Sequence, residues 1–220
     1  MAAEADTRLQ RGRCCGGILT AAMSDSARRS RLNRGRDLSN RAWKLRSTTI
    51  CSSTADPAES DETGRLVRKQ LNEAVMLCRK AGADRELVTA LRRLGHAEQD
   101  ADRNDIAVAR YEEAVVAARR TGDPLLLAHA IRHLGDAHRS TGRLPGAEAC
   151  YDEALGFYAE HSDPPPLDYA NALRPTAIVK EELGKTDDAR HLWQRAKALY
   201  AAVPIAAGVA ECDENLARLG

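Results

Sequence analysis

The strongest constraint on the fold is an internal repeat with a period of about forty residues. The segment from Leu125 to Tyr158 reads as two amphipathic helices joined at Thr141-Gly142-Arg143. Similar segments stand forty residues earlier and forty-two residues later, at 87–118 and 168–200. Self-similarity at a fixed period of this size is typical of stacked supersecondary units. One helix pair cannot bury its apolar face alone, so the sequence predicts an all-α stack of helix pairs that share a core.

The three units align residue by residue at small, aliphatic and aromatic positions. The aligned sets are Leu91, Ile131 and Leu173; Leu94-Gly95, Leu134-Gly135 and Thr176-Ala177; Ala107, Ala147 and Ala189; Tyr111, Tyr151 and Trp193; and Ala114, Ala154 and Ala196. In each second helix, offsets of four and three place Ala, the aromatic residue and Ala on one face. Small residues let two helix backbones approach closely, and the ring fills the space beside them.

These residues resemble the tetratricopeptide repeat, whose pattern is a Leu-Gly pair followed by Ala, an aromatic residue and Ala. Units one and two match it almost fully, whereas unit three has Thr176-Ala177 and carries Pro175 inside its first helix. The usual repeat has about 34 residues. The longer period here is similar to that of kinesin light chains and their bacterial relatives. The resemblance covers about Leu66 to Gly220. It implies a right-handed α-solenoid that serves as a protein-binding scaffold, with its concave surface lined by the first helices.

The expected organisation has two parts, a disordered segment over 1–61 and a solenoid over 62–220. The solenoid comprises a half-repeat (64–82), three repeats (about 84–122, 124–161 and 166–202) and a closing helix (205–219), eight helices in all. In the turns that contain Asp123-Pro124 and Asp163-Pro164, Asp is expected as N-cap and Pro as first helical residue. Pro175 lacks a backbone donor, which predicts that the first helix of unit three is kinked, delayed or short.

The first 61 residues differ from the rest in composition. Eleven basic residues stand by position 46, opposed by Glu4, Asp6, Asp25 and Asp37, and no apolar period persists. This favours disorder. Four origins stay open: a solvated tail or upstream sequence before a start at Met23, an organelle transit peptide, an arm that touches phosphate, and, most weakly, a secretory signal at Gly16–Met23.

The family's geometry implies which side chains line the concave face. They are Arg92, His96, His129, Arg132, Asp136, Arg139, Asn171, Arg174 and Glu181, and they are named here the polar row. Three of them, Arg92, Arg132 and Arg174, are equivalent and would form a ladder of guanidinium groups. Arginine binds carboxylates through two parallel hydrogen bonds, which predicts an acidic partner segment or a C-terminal carboxylate. The alternative is that each Arg pairs with a neighbouring Asp136, Glu181 or Glu182.

Other classes of function find little support in the sequence. His129 and His133 share a helix face but lack a third zinc ligand, and no phosphate loop or nucleophile elbow occurs. We expect no cofactor, no metal and no enzymatic activity. The net charge of +1 gives no global attraction to nucleic acid or membrane, and unpaired cysteines weakly favour a cytoplasmic location. Three hypotheses remain: a scaffold for a protein or peptide partner, a self-associating module, and a nucleic-acid-linked regulator that uses the basic N-terminal segment.

Overall fold

The computed structural model describes residues 3–51 and 57–220, with side chains for 24–49 and 61–220. In this part of the chain there are nine α-helices and no strand. They are α1 (Ala3–Cys51), α2 (Pro57–Ala81), α3 (Asp84–Gln99), α4 (Asn104–Thr121), α5 (Pro124–Ser140), α6 (Leu144–Glu160), α7 (Pro166–Glu182), α8 (Thr186–Ala202) and α9 (Ala206–Arg218). The chain divides into two compact units, each larger than a single repeat. The first unit is Met1–Ala90 and the second unit is Leu91–Gly220. The predicted all-α fold of repeat-like helix pairs is confirmed.

Within the second unit, each helix packs on the next one in sequence, from α4 through α9. The short connections inside the α5–α6 and α7–α8 pairs depend on glycine. Gly142 and Gly184 have φ of 72° and 74°, a left-handed conformation that costs other residues energy. In these two pairs the first helix therefore reverses into its second helix within three residues, which brings the two apolar faces together.

The two Asp-Pro turns behave differently. Asp123 caps α5, because its side chain accepts a hydrogen bond from the Leu126 N–H at 3.0 Å and Pro124 is the first helical residue. The corresponding expectation for Asp163 is wrong, because α7 begins at Pro166 with Pro165 at the cap and no side-chain hydrogen bond. Three successive prolines delay the helix until the last of them, which leaves Asp163 too far upstream to cap it.

Pro175 does not delay or shorten the first helix of the third repeat. Helix α7 runs uninterrupted from Pro166 to Glu182 and passes through it. The Pro175 ring is buried, so the apolar contact it gains offsets part of the lost hydrogen bond. One residue later, the Thr176 hydroxyl donates to the Ala172 carbonyl at 2.8 Å. Tertiary packing therefore overrides the helix-breaking tendency that the sequence predicts.

The disorder expected for residues 1–61 is corrected where the structure describes side chains. Residues 24–49 lie in α1 and pack against α2, with Leu38 8% and Ala42 0% exposed. A Cβ on Gly35 would lie 3.1 Å from Cys78 Sγ, so the two helices approach closely there. The stripe of Gly35, Leu38 and Ala42 is too sparse to stand out among so many arginines. The first 23 side chains, including that of Met23, lie outside the described residues.

None of the described helices is long and apolar enough to cross a membrane.

Candidate partner-binding face

In the first two repeats, an aromatic ring of the second helix lies against the backbone of the first helix. A Cβ on Gly95 would lie 2.6 Å from Tyr111 Cζ, and one on Gly135 would lie 2.7 Å from Tyr151 Cε1. Both rings are 1% exposed. The glycine of the Leu-Gly pair and the aromatic residue thus form one packing contact, as the alignment predicts. This contact fixes the rotation of α3 and α5 about their own axes.

The polar atoms of the same aromatic residues bind side chains of the first helices. Tyr111 Oη donates to Gln99 Oε1 at 2.8 Å, Tyr151 Oη to Asp136 Oδ1 at 2.7 Å, and Trp193 Nε1 to Glu181 Oε1 at 2.6 Å. Two members of the polar row, Asp136 and Glu181, are therefore held by the core of their own repeat. Sequence reasoning treated these aromatic residues only as space-filling groups.

Two arginines of the polar row converge on one imidazole. Arg92 Nη1, from α3, lies 3.4 Å from His133 Nε2, and Arg132 Nη2, from α5, lies 3.0 Å from the same atom. A guanidinium group can only donate hydrogen bonds, so His133 Nε2 accepts and the ring is neutral. Arg92 Nη1 also lies 3.2 Å from both ring nitrogens of His129, of which only the unprotonated one can accept.

We name this group the Arg–His cluster. Its members are Arg92, His96, His129, Arg132, His133 and Asp136. The His133 ring meets the rings of His96 and His129 edge-on, at centroid distances of 5.0 and 4.7 Å. Five of the nine predicted residues thus lie together. His133, which is not one of the nine, is 7% exposed and lies at the centre of the cluster.

Burial keeps both central histidines neutral. Together with the charges of the neighbouring arginines, it lowers the pKa of His129 to about 2 and that of His133 to about 4. Burial also lowers the pKa of Arg92, and the charges of Arg93 and Arg132 add to that shift. An arginine stays protonated even so. The cluster therefore holds two guanidinium charges in a half-buried site.

Asp136 supplies the negative charge of the cluster. Burial alone would raise the pKa of Asp136, but the contact with His133 and the charge of Arg132 together lower it. Its Oδ2 lies 3.2 Å from Arg132 Nη1 and 3.3 Å from His133 Nδ1. Among the described residues, Arg92 has no carboxylate within ion-pair distance. The cluster thus contains one more cation than anion, and the excess charge lies on Arg92.

The remaining members of the polar row are engaged elsewhere. Arg139 pairs with Glu182 at 3.3 Å. Asn171 Oδ1 accepts from Tyr200 Oη at 2.9 Å. Arg174 binds Glu211 of α9, with its Nε 2.8 Å from each carboxylate oxygen. The three-arginine ladder is therefore not one continuous site, because its third member is already occupied.

The register of the repeats explains why Arg92 and Arg174 differ. His129, Asn171 and Glu211 occupy equivalent positions in successive first helices, by the same spacing that aligns the repeats. Arg92 meets His129 and Arg174 meets Glu211, in each case 37 residues further along the chain. At this position the last helix offers a carboxylate and α5 offers a neutral imidazole. A search for Arg with Glu or His at that offset would have found both contacts from sequence.

Among the described residues, no group of three or more histidine, cysteine or carboxylate side chains is arranged to hold a metal ion. The His129 and His133 pair instead faces the Arg92 guanidinium.

Comparison with known proteins agrees with this architecture. Residues 86–160 match the tetratricopeptide repeat family model. No curated protein sequence matches the chain. Among solved structures, a putative kinesin light chain of Podospora anserina with nearly identical repeats is similar at a TM-score of 0.60 and 16% identity, over 86% of this chain and 85% of that one.

Two further structures share the fold over a part of their length. Aspartyl phosphate phosphatase F from Bacillus subtilis superposes with a TM-score of 0.65 and 14% identity, over 81% of this chain. A Rap protein in complex with Competence and Sporulation Factor gives 0.61 and 17% over 68%. The matched part of this chain spans 44% and 41% of those proteins, respectively, which is less than half of their length. Residues 86–160 thus match the tetratricopeptide repeat, and the helical repeat fold of the chain is similar to that of the Podospora anserina protein.

Proposed function

We propose that this protein is a cytoplasmic scaffold that binds a carboxylate-bearing segment of a partner protein at the Arg–His cluster. The observation that carries the proposal is the convergence of Arg92 and Arg132 on His133, where the single carboxylate, Asp136, pairs with Arg132 and not with Arg92. Two like charges held this close repel each other, and the half-buried setting weakens the screening by water. An anion placed between the guanidinium groups would relieve that repulsion.

The Arg174–Glu211 pair shows the kind of contact that the partner would make. Glu211 of α9 accepts hydrogen bonds from Arg174 of α7 with both of its carboxylate oxygens. At the equivalent place next to Arg92 the chain supplies His129, which carries no charge. We propose that the partner places a carboxylate next to Arg92, as this chain places Glu211 next to Arg174. Arg132 would bind the second oxygen or an adjacent acidic side chain.

This mode of binding sets aside the three-arginine ladder in favour of a two-arginine site. The ion pairs Arg139–Glu182 and Arg174–Glu211 lie along the same row and would have to break before a partner could use them. Exchange of one carboxylate for another gains little free energy. Affinity is therefore concentrated at Arg92, which has no carboxylate among the described residues. Arg132 adds to it because its only carboxylate, Asp136, is shared with His133 and Tyr151.

The test uses two peptide libraries that differ in charge and little in shape. One carries Asp and Glu at random positions, and the other carries Asn and Gln at the same positions. Binding to the full chain is measured by fluorescence anisotropy, and the tightest peptide is then measured against the variants. Each charged hydrogen bond contributes about 1.5–3 kcal/mol, so Arg92→Ala and Arg132→Ala should each weaken binding by roughly ten- to a hundredfold.

The matched control is Arg119→Ala. Arg119 is an exposed arginine on the second helix α4, paired with Glu153 at 3.3 Å, so its loss changes net charge equally but leaves the cluster intact. We expect its affinity to stay within about twofold of the parent. Equal weakening by all three variants would show that net charge alone attracts the peptide. Equal binding of the acidic and amide libraries would refute the carboxylate site.

A further inference from the structure

A second charged surface, outside the Arg–His cluster, lies on α1. Between residues 24 and 49 this helix carries eight basic and two acidic residues. The charge is part of a wider asymmetry, because residues 1–90 contain 17 basic and 11 acidic residues while residues 91–220 contain 16 and 21. The net charge of +1 for the whole chain conceals this division. The argument from net charge against a nucleic-acid partner therefore does not apply to the first unit.

The solvent-facing side of α1 is a continuous polar stripe. Leu38 and Ala42 face α2, and a helical period of about 3.6 residues places a second set of residues on the opposite side. This outer stripe consists of Ser26, Arg29, Ser30, Asn33, Arg36, Asp37, Asn40, Arg41, Lys44 and Ser47, all of which are exposed. It contains no apolar side chain and one carboxylate.

The basic residues of the outer stripe are exposed to solvent. Among the described residues, Arg29, Arg36, Arg41 and Lys44 take part in no hydrogen bond or ion pair. By contrast, Arg28 donates to the Ala81 carbonyl at 2.6 Å. Arg29 and Lys44 are fifteen residues apart, which is about 22 Å along a helix. The stripe thus presents, over four turns, four exposed cations that no described side chain neutralises.

We propose that the outer stripe of α1 binds double-stranded DNA through its phosphate backbone, with the helix lying in the major groove. The B-form major groove admits one α-helix between two walls of phosphates. Arg29 and Arg36 lie on one flank of the stripe and Arg41 on the other, roughly 130° apart at about 100° per residue. Both walls would receive a cation. Asn33, Asn40 and the serines belong to the residue types that donate to phosphate and base edges.

Other polyanions fit this stripe less well. A helix binds an anionic membrane surface most strongly when an apolar face also enters the lipid, and the apolar face of α1 is packed on α2. The major groove of A-form RNA is too deep and narrow for a helix. The second unit carries a net negative charge and would be repelled by phosphate, so the first unit alone would contact the DNA.

The test measures binding of the full chain to a fluorescein-labelled 20-base-pair DNA duplex by anisotropy, between 50 and 250 mM NaCl. Four phosphate contacts give an expected slope of about −4 in a plot of log K against log salt. The variant R36Q/K44Q should lose about half of that slope and at least tenfold in affinity at 50 mM NaCl. Asp37→Asn removes the one carboxylate of the stripe and should tighten binding severalfold.

The matched control is K69Q/K80Q, which removes the same charge from exposed positions of α2 in the same unit. It should bind within about twofold of the parent. Equal loss in the two double variants would overturn the proposal, because it would mean that only net charge matters. A slope near zero would also overturn it, as would equally tight binding of an RNA duplex or of phosphatidylserine vesicles. Far-UV circular dichroism establishes that all variants are equally helical.

Discussion

At the residue scale, glycine at the packing contact of the first helix is a steric requirement. Gly135→Ala would place a methyl group 2.7 Å from Tyr151 Cε1, and that ring is held by the hydrogen bond to Asp136. Overpacking typically costs about 1–3 kcal/mol, which outweighs the gain of about 1 kcal/mol in helix propensity. We therefore expect Gly135→Ala to lower the free energy of unfolding, as measured by urea denaturation.

Gly156 in α6 provides the opposite case. It is exposed, and a Cβ there would meet nothing within 4 Å. Gly156→Ala should stabilise the protein by up to about 1 kcal/mol, because only helix propensity changes. If both substitutions were stabilising, the close contact between α5 and Tyr151 would be disproved.

The Arg–His cluster leads to a second prediction at this scale. His129→Glu would place a carboxylate beside Arg92, as Glu211 stands beside Arg174. The internal carboxylate should neutralise the excess charge and occupy the anion site. We expect a higher melting temperature and a loss of acidic-peptide binding, measured by calorimetry and anisotropy. A variant that is stabilised but still binds the peptide would locate the peptide elsewhere.

The same cluster predicts how stability depends on pH. His129 and His133 have pKa values of about 2 and about 4 in the folded state, below the value of about 6.5 of an unfolded chain. Below pH 6.5 the unfolded state takes up protons that the folded state excludes, so stability falls as the pH decreases toward 4. Each histidine contributes a slope of up to about 1.4 kcal/mol per pH unit. Urea denaturation between pH 4.5 and 7.5 should show this slope, and His133→Gln should reduce it.

At the scale of the helix, the small residues of the second helices set the distance between neighbours. Ala154 of α6 is 0% exposed. Ala154→Leu should overpack this contact and cost about 1–3 kcal/mol. Ala149 lies on the same helix and is exposed, so Ala149→Leu should change stability by less than about 0.5 kcal/mol. Thermal melting of the two variants would expose an error in the helix register if they unfolded at the same temperature.

The helices also show where a local sequence signal, such as an Asp-Pro pair or an internal proline, does not determine where a helix begins or ends. The Asp123-Pro124 pair begins α5 because the carboxylate is one residue before the first turn and can reach the Leu126 N–H. The Asp163 side chain is two residues further from its helix and caps nothing. Pro175 lies within a helix that its neighbours hold in place. In each case, the place where the helix packs determined whether the preference of the local sequence for a helix start or a helix break was followed.

At the scale of the whole molecule, α1 covers an apolar face of α2. Val67, Leu71 and Cys78 of α2 are at most 2% exposed. We expect a chain truncated to residues 62–220 to melt at a lower temperature than the full chain, because part of this face would then contact water. Hydrogen exchange should show the loss of protection first in α2. Equal melting temperatures would mean that α1 contributes nothing to the stability of the first unit.

The sequence by itself determined the helix pairs, because the repeated small and aromatic positions can be satisfied only by one way of packing. It also placed Arg92, His129, Arg132 and Asp136 on neighbouring first helices, since equivalent positions of a repeat share a face. Only the tertiary structure decided which charges remain unpaired. Arg174 contacts Glu211, whereas Arg92 contacts His129. An ion pair forms only where the side chains of two neighbouring helices are close enough to meet. The tertiary structure likewise decided that α1 is helical along α2, since a sparse apolar stripe becomes sufficient only when a partner helix is present to bury it.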